Sequence, residues 1–126
     1  MAFGDTGGSV TELVITCRTV SSGSVAIAKG DAVKLSGAYT VTNVTDAEDD
    51  IFGEALAAAT ENDVAIPVKV RGISIFAYTG TAPTVDGAQG VVASATDGSV
   101  KAPASGNGHG INVKVDGTAS TVHVLL

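Results

Sequence analysis

The chain has 126 residues, with seven Lys or Arg against thirteen Asp or Glu and a formal charge of −6 at pH 7. That length fits one domain with a single modest core, and the negative balance argues against a nucleic-acid partner, whose phosphate affinity comes from Lys and Arg releasing counterions. Trp is absent, Phe and Tyr number three and two, and the apolar content comes mainly from Val, Ala and Ile, so the core is built of small pieces and would gain from oligomerisation.

In chain order, residues 1–10 read as a flexible N-terminal arm, because Gly4, Gly7 and Gly8 leave little to bury. The arm "MAFGDTGGSV" has neither the basic nor the apolar part of a signal peptide, and no apolar run approaches the roughly 20 residues of a membrane span. Synthesis in the cytoplasm, with no membrane partner, is the expectation. Residues 11–126 read as one β-barrel-like domain. Its first strand, "VTELVITC" (10–17), ends at the lone Cys17, which has no disulfide partner and reads as a buried small hydrophobe.

Alternating runs punctuated by Gly continue the strand pattern. They are "SVAIAK" (24–29), "DAVKLS" (31–36), "YTVTNV" (39–44), "FGEAL" (52–56) and "AIPVKVRGISIFAY" (65–78). In the last of these Gly72 marks a bend or bulge, and Pro67, lacking an amide donor, belongs at a strand edge or beginning. "GVVASA" (90–95) and "SVKAP" (99–103) flank Asp97-Gly98, and "INVKVD" (111–116) and "STVHVLL" (120–126) flank Asp116-Gly117. These pairs, like Gly30-Asp31, suit the positive φ of tight turns, so two C-terminal hairpins are expected. The stretch "APASGNGHG" (102–110) reads as a mobile loop. The fold class is all-β, with at most one or two short helical turns.

Candidate chemistry is sparse. Asp46, Glu48, Asp49, Asp50 and Glu54 form an acidic cluster, but their spacing does not supply the alternate acids, central Gly and twelfth-position Glu of a calcium loop, and a solvated turn is expected. His109 sits in the Gly-rich loop and His123 in an alternating strand, neither with a second ligand at zinc spacing. Period two puts His123 on the face of Thr121 and Leu125, opposite Val122 and Val124. No orienting third group accompanies Cys17 and a His, no phosphate-cradling or dinucleotide Gly-rich motif occurs, and no cofactor, metal or catalytic residue is expected. Lys69 and Arg71 share the strand face away from Val68 and Val70, where such charges keep an outer face wet or meet an acidic partner.

The runs "KGDAVKL", "IFGEALAAATENDVAIPVKVRGI" and "VDGAQGVVASATDGSVKAP", within residues 29 to 103, together resemble tailed-phage capsid cement, or head-decoration, proteins. Gly30, Asp31 and Val33 match the first element of that pattern, and Gly53, Ala55, Ala57, Ala58, Pro67, Val68, Val70 and Gly72 match the second. The family's turn between the Ala run and the Pro strand carries a Gly where this chain has "TENDV", and Asn62 and Asp63 tolerate the same left-handed backbone. The resemblance implies a small β-barrel or β-tulip-like domain in which Gly30, Asp31, Gly53, Pro67 and Gly72 are scaffold and turn residues. It also implies a homotrimer on the outer surface of the expanded capsid, with the major capsid protein as partner and no enzymatic activity. On that reading "AAATEN" is a brief helical turn or tight crossover whose alanines allow close approach. The arm residues Ala2, Phe3, Gly4, Asp5, Thr6, Gly7 and Gly8 would then order on the shell by adding a strand to it. A surface module recognising glycans or a host is the alternative, disfavoured by having only Phe3, Tyr39, Phe52, Phe76 and Tyr78 as aromatic platforms.

Overall fold

A computed structural model describes residues 12–85 and 89–126 of the chain. The ten strands are β1 (Leu13–Thr19), β2 (Ala32–Gly37), β3 (Thr40–Thr42), β4 (Gly53–Ala55), β5 (Ala65–Arg71), β6 (Ile73–Ala77), β7 (Val92–Ala93), β8 (Val100–Lys101), β9 (Ile111–Asp116) and β10 (Thr121–Leu125). Five of them close a barrel in the order β1, β3, β2, β4, β5, with β5 returning antiparallel to β1. The parallel contact of β1 with β3 involves Arg18 and Thr19, and the Tyr39 carbonyl accepts from the Arg18 amide beside it. A three-stranded sheet, β6-β10-β9, and the β7-β8 hairpin make a second lobe. The all-β expectation holds, and the described residues contain no helix.

Each lobe has its own core. Cys17, Ile27, Val33, Val41, Ala55, Ile66, Val68 and Val70 fill the barrel. Phe76, Val91, Ala93, Val100, Val122, Val124 and Ile51 form the second core, joined by Ala32 from the barrel. Successive strand residues point to opposite faces, so Val33 faces the barrel interior while Ala32 leaves it and enters the second core. The second lobe therefore packs on the barrel's outer wall. Cross-strand partners share a face, and the pairs Ala32 with Glu54, Glu54 with Lys69, and Lys69 with Val14 trace one row across that wall.

The long segment 65–78 divides at Gly72, whose φ of 120° is a conformation that L side chains rarely adopt. This corner carries the chain from barrel to sheet. Pro67 is the third residue of β5, and its carbonyl accepts from the Leu56 amide just past the end of β4. A strand residue directs its N–H and C=O to the same side, so the missing donor lies on a margin where β4 has ended. A Cβ at Gly53 would collide with the Lys69 carbonyl, which fixes how closely β4 approaches β5.

Several expected elements take different forms. Of "SVAIAK" only Ile27 pairs, in a single antiparallel bridge to Ala59. "AAATEN" is the crossover rather than a helical turn: Ala55 and Ala59 are buried, whereas Ala57 is half-buried and Ala58 exposed. Asp63 has a φ of 54°, the left-handed backbone expected where the family pattern has Gly, and Asn62 Nδ2 secures the turn on the Val20 and Gly23 carbonyls at 2.9 and 3.0 Å. Gly30 and Gly98 have positive φ, as expected for their turns. At Asp116-Gly117 the positive φ belongs instead to Ser120, at 55°, because the Asp116 carboxylate organises the turn by accepting from the Thr118 and Ala119 amides. The loop 102–110 is anchored at its far end, where His109 and Val91 exchange backbone hydrogen bonds and Gly108 donates to the Gln89 carbonyl.

Candidate functional site

The acidic residues do not converge on one point. Lys34 donates to Asp49 Oδ2 at 2.6 Å, and the Asp46 amide donates to the same oxygen at 2.9 Å. Lys101 pairs with Glu48, whose Oε1 also accepts from the Ala104 amide at 3.0 Å. These contacts hold the Asp49 and Glu48 carboxyls below their usual range, the lysine hydrogen bond being the main cause in each. Asp46, Glu48 and Asp50 are exposed, as a solvated turn requires. Among the described residues no three His, Cys, Asp or Glu side chains gather as metal ligands. The cluster works as a set of clasps: Glu48 and Asp49 also pair their backbones with Ala93, tying the turn to the second lobe.

Glu54 separates from the others and faces Lys69, and here the solvated-face expectation is overturned. Lys69 does lie on the outer face of the barrel, yet it is only 7% exposed. Its Nζ stands 3.2 Å from Glu54 Oε1 and 3.4 Å from Glu12 Oε1, and it donates to the Ile73 carbonyl at 2.8 Å. The cause is tertiary. The chain turns at Gly72 and lays β6 and its partners over this wall, so the ammonium is enclosed and requires acidic and carbonyl partners. Arg71, at the strand end, remains exposed.

Cys17 is buried, and burial raises its thiol pKa, consistent with a small core residue. His123 sits half-buried between the fully buried Val122 and Val124, on the outer face as expected. Burial, and after it the Arg71 charge, lower the His109 pKa against a smaller opposing pull from Asp50; its Nε2 is buried without a partner. No nucleophile, base and orienter come together among these groups.

Two polar anchors were not singled out by sequence reading. Asn43 Nδ2 donates to Asp31 Oδ2 at 2.8 Å and to the Ala26 carbonyl at 2.9 Å, and the same Asp31 oxygen accepts from the Ala28 amide at 2.9 Å. Asp31 thus fixes the turn before β2, which accounts physically for the Gly-Asp pair. Asn112, fully buried, donates to the Thr84 and Gly90 carbonyls, each at 3.0 Å. For Asn43 the signal available was its alternation with the core-facing Val41, whereas Asn112 alternates with Lys114 and Asp116 and turns inward only through the register shift between β9 and β10.

The candidate functional site is a surface. On β10 the outward residues Thr121, His123 and Leu125 pair with Ala77, Ile75 and Ile73 of β6. On the other side His123 and Leu125 pair with Lys114 and Ile111 of β9. Ile75, Ile111, Val113 and Leu125 are each at least 40% exposed, which makes one end of this sheet face apolar. The sequence-derived arm residues Ala2 to Gly8 lie outside the described residues. No described helix is long and apolar enough to cross a membrane. Comparison with protein-family models found no match, and neither did comparison with curated proteins.

Proposed function

We propose that this chain is a capsid decoration protein, binding as trimers to the outside of an expanded icosahedral phage head and bracing it against internal DNA pressure. The observation that carries the reading is the exposed apolar face made by Ile75, Ile111, Val113 and Leu125. Contiguous apolar surface suits a protein that works through shared surfaces. The ordered motif resemblance points the same way, and its matching residues have structural duties here: Asp31 fixes a turn, Gly53 permits close strand approach and Gly72 makes the corner. The negative charge keeps the protein from competing for the genome.

In this reading the N-terminal arm adds a strand to the major capsid protein, and three arms on one trimer offset the cost of ordering them. Deleting residues 2–8 is expected to leave folding and trimerisation intact while weakening attachment by tenfold or more, on the order of 1.4 kcal/mol. Titration onto undecorated expanded heads, imaged by electron cryomicroscopy, measures occupancy and position together. Density at threefold positions that fades on truncation supports the proposal; virions purified without the protein overturn it. The surface-recognition alternative has one observation in its favour, Tyr39, 71% exposed at the β2-β3 hairpin tip. Loss of glycan or host-cell adsorption in Tyr39→Ala, with head occupancy unchanged, would select that alternative.

A further inference from the structure

The barrel wall contains a gap beside β2. Asp31 and Val33 direct their carbonyls toward the β4 side, accepting from the Ala55 and Phe52 amides at 2.9 and 2.8 Å. By the two-residue alternation of backbone groups along a strand, Leu35 points its own N–H and C=O to the same edge. Its Cα partner on the other side, Val41, then forms a non-hydrogen-bonded pair with it. On the open edge the chain preceding β4 has moved away, because Glu48 and Asp49 pair with Ala93 in the second lobe. The Leu35 backbone groups have no partner outside the β2-β3 ladder among the described residues.

The two diverging chains enclose a groove of about 380 Å³ lined by Lys34, Leu35, Asp49, Asp50, Ile51 and Phe52. Leu35 is 48% exposed, and Phe52 packs from the barrel core toward the groove. Leu35, Ile51 and Phe52 therefore give the groove an apolar part beside the charged Lys34, Asp49 and Asp50, and a strand edge runs along one side. Acidic charge sits at the rim. Asp49 is engaged by Lys34, whereas the exposed Asp50 makes no ion pair among the described residues.

We infer that this groove takes an extended segment of a partner polypeptide, which adds to β2 at Leu35, seats a small aliphatic side chain against Leu35 and Phe52, and presents a Lys or Arg to Asp50. Main-chain pairing supplies affinity and the flanking side chains supply selectivity in this mode. Charge distinguishes the occupant: a second copy of this chain brings another −6, whereas a basic segment complements the rim. The inference rests on the barrel's own geometry and stands apart from the capsid reading.

The test uses the full chain and three blocked pentapeptides: acetyl-TVKVT-amide, the same peptide with Glu in place of Lys, and the Lys peptide with its central amides N-methylated. Amide exchange and chemical shifts followed by NMR report the site directly. The Lys peptide is expected to slow exchange at Leu35 by about tenfold or more at saturation, because a new hydrogen bond closes that edge. The N-methylated peptide should give no protection, the Glu peptide should bind several-fold more weakly, and Asp50→Asn should remove the difference between Lys and Glu. Leu35→Lys, at a half-exposed position, should abolish protection while leaving the remaining spectrum folded. Three results overturn the inference: a Leu35 amide already protected in the free protein, shifts that map elsewhere with millimolar peptide, or protection that rises with protein concentration alone, which would assign the groove to self-association.

Discussion

The barrel and the lobe on its wall enclose similar aliphatic cores in different ways. The barrel is walled by its own ladder, closed from β5 back to β1 though shifted in register in β1 and β2 and open beside Leu35, so its core lies mostly behind paired strands. The second lobe has an open three-stranded sheet and covers its core with loops and two-residue strands. Val91 reaches it from a single bridge to His109, and Val100 from the short strand β8. Regular closure distributes stability over many pairs, whereas the loop-covered lobe depends on a few close approaches. Between them lies the row Ala32, Glu54, Lys69, which joins the two through Ala32 in the second core and the Lys69 hydrogen bond to the Ile73 carbonyl.

Cavity creation should give the largest effect on this comparison. Phe76 is the bulkiest fully buried side chain, at the centre of the second core, and Phe76→Ala is expected to cost about 3–5 kcal/mol. Chemical denaturation should remain a single transition if the seam couples the lobes, whereas two transitions would break the comparison. Glu54→Ala comes next. It leaves the Lys69 ammonium enclosed without its closest carboxylate, and a cost near the lower end of the range for broken buried pairs, about 3 kcal/mol, is expected. Glu12 and the Ile73 carbonyl still contact the ammonium. The double substitution Glu54→Leu with Lys69→Met should recover most of that loss in the same measurement.

Gly108→Ala sharpens the contrast at smaller scale. A Cβ there meets the backbone of Val91, which cannot step aside as a flexible side chain would. A loss of about 1–3 kcal/mol is expected, with amide exchange rising around Val91 and His109 before it rises in β1 or β5.

The smallest effect is on pH dependence. The His109 pKa is depressed in the folded chain, so the unfolded chain binds more protons once pH falls below about 6.5, and stability declines with falling pH through that window. Glu48, Asp49 and Asp116 are depressed from 4.5, 3.8 and 3.8. Their stabilisation is present above those values and is lost only as pH falls through the lower folded pKa values. His109→Gln should therefore flatten the mildly acidic part of a melting-temperature profile and leave the strongly acidic part unchanged.

Much of the strand content could be read from the sequence, because alternation and turn chemistry are local. β9 begins and ends where the pattern "INVKVD" does, and the corner at Gly72 falls inside the apolar run where a residue without Cβ interrupts it. What escaped reading was set by tertiary neighbours. Period two assigns Lys69 to the outer wall, but nothing local says that a second lobe covers that wall. "SVAIAK" has the alternation of a strand, yet the crossover through Ala59 pairs with it only at Ile27. The apolar face of the C-terminal sheet exists only because β10 lies between β6 and β9, a neighbourhood that no local pattern states. The groove beside Leu35 was hidden for a similar reason, since it exists where two chains part.

The neighbouring residues Ala32 and Val33, which serve opposite cores, make the reading frame of β2 self-checking. Exchanging either side chain disturbs one compartment, but inserting or deleting a single residue upstream would send the larger side chain into the narrow seam and the smaller one into the barrel together. Saturation mutagenesis should accordingly find Lys34 and Leu35 permissive to replacement, Ala32 and Val33 tolerant only of side chains of their own size, and the run from Lys29 to Leu35 nearly intolerant of length change, a signature that distinguishes a shared partition from an ordinary surface strand.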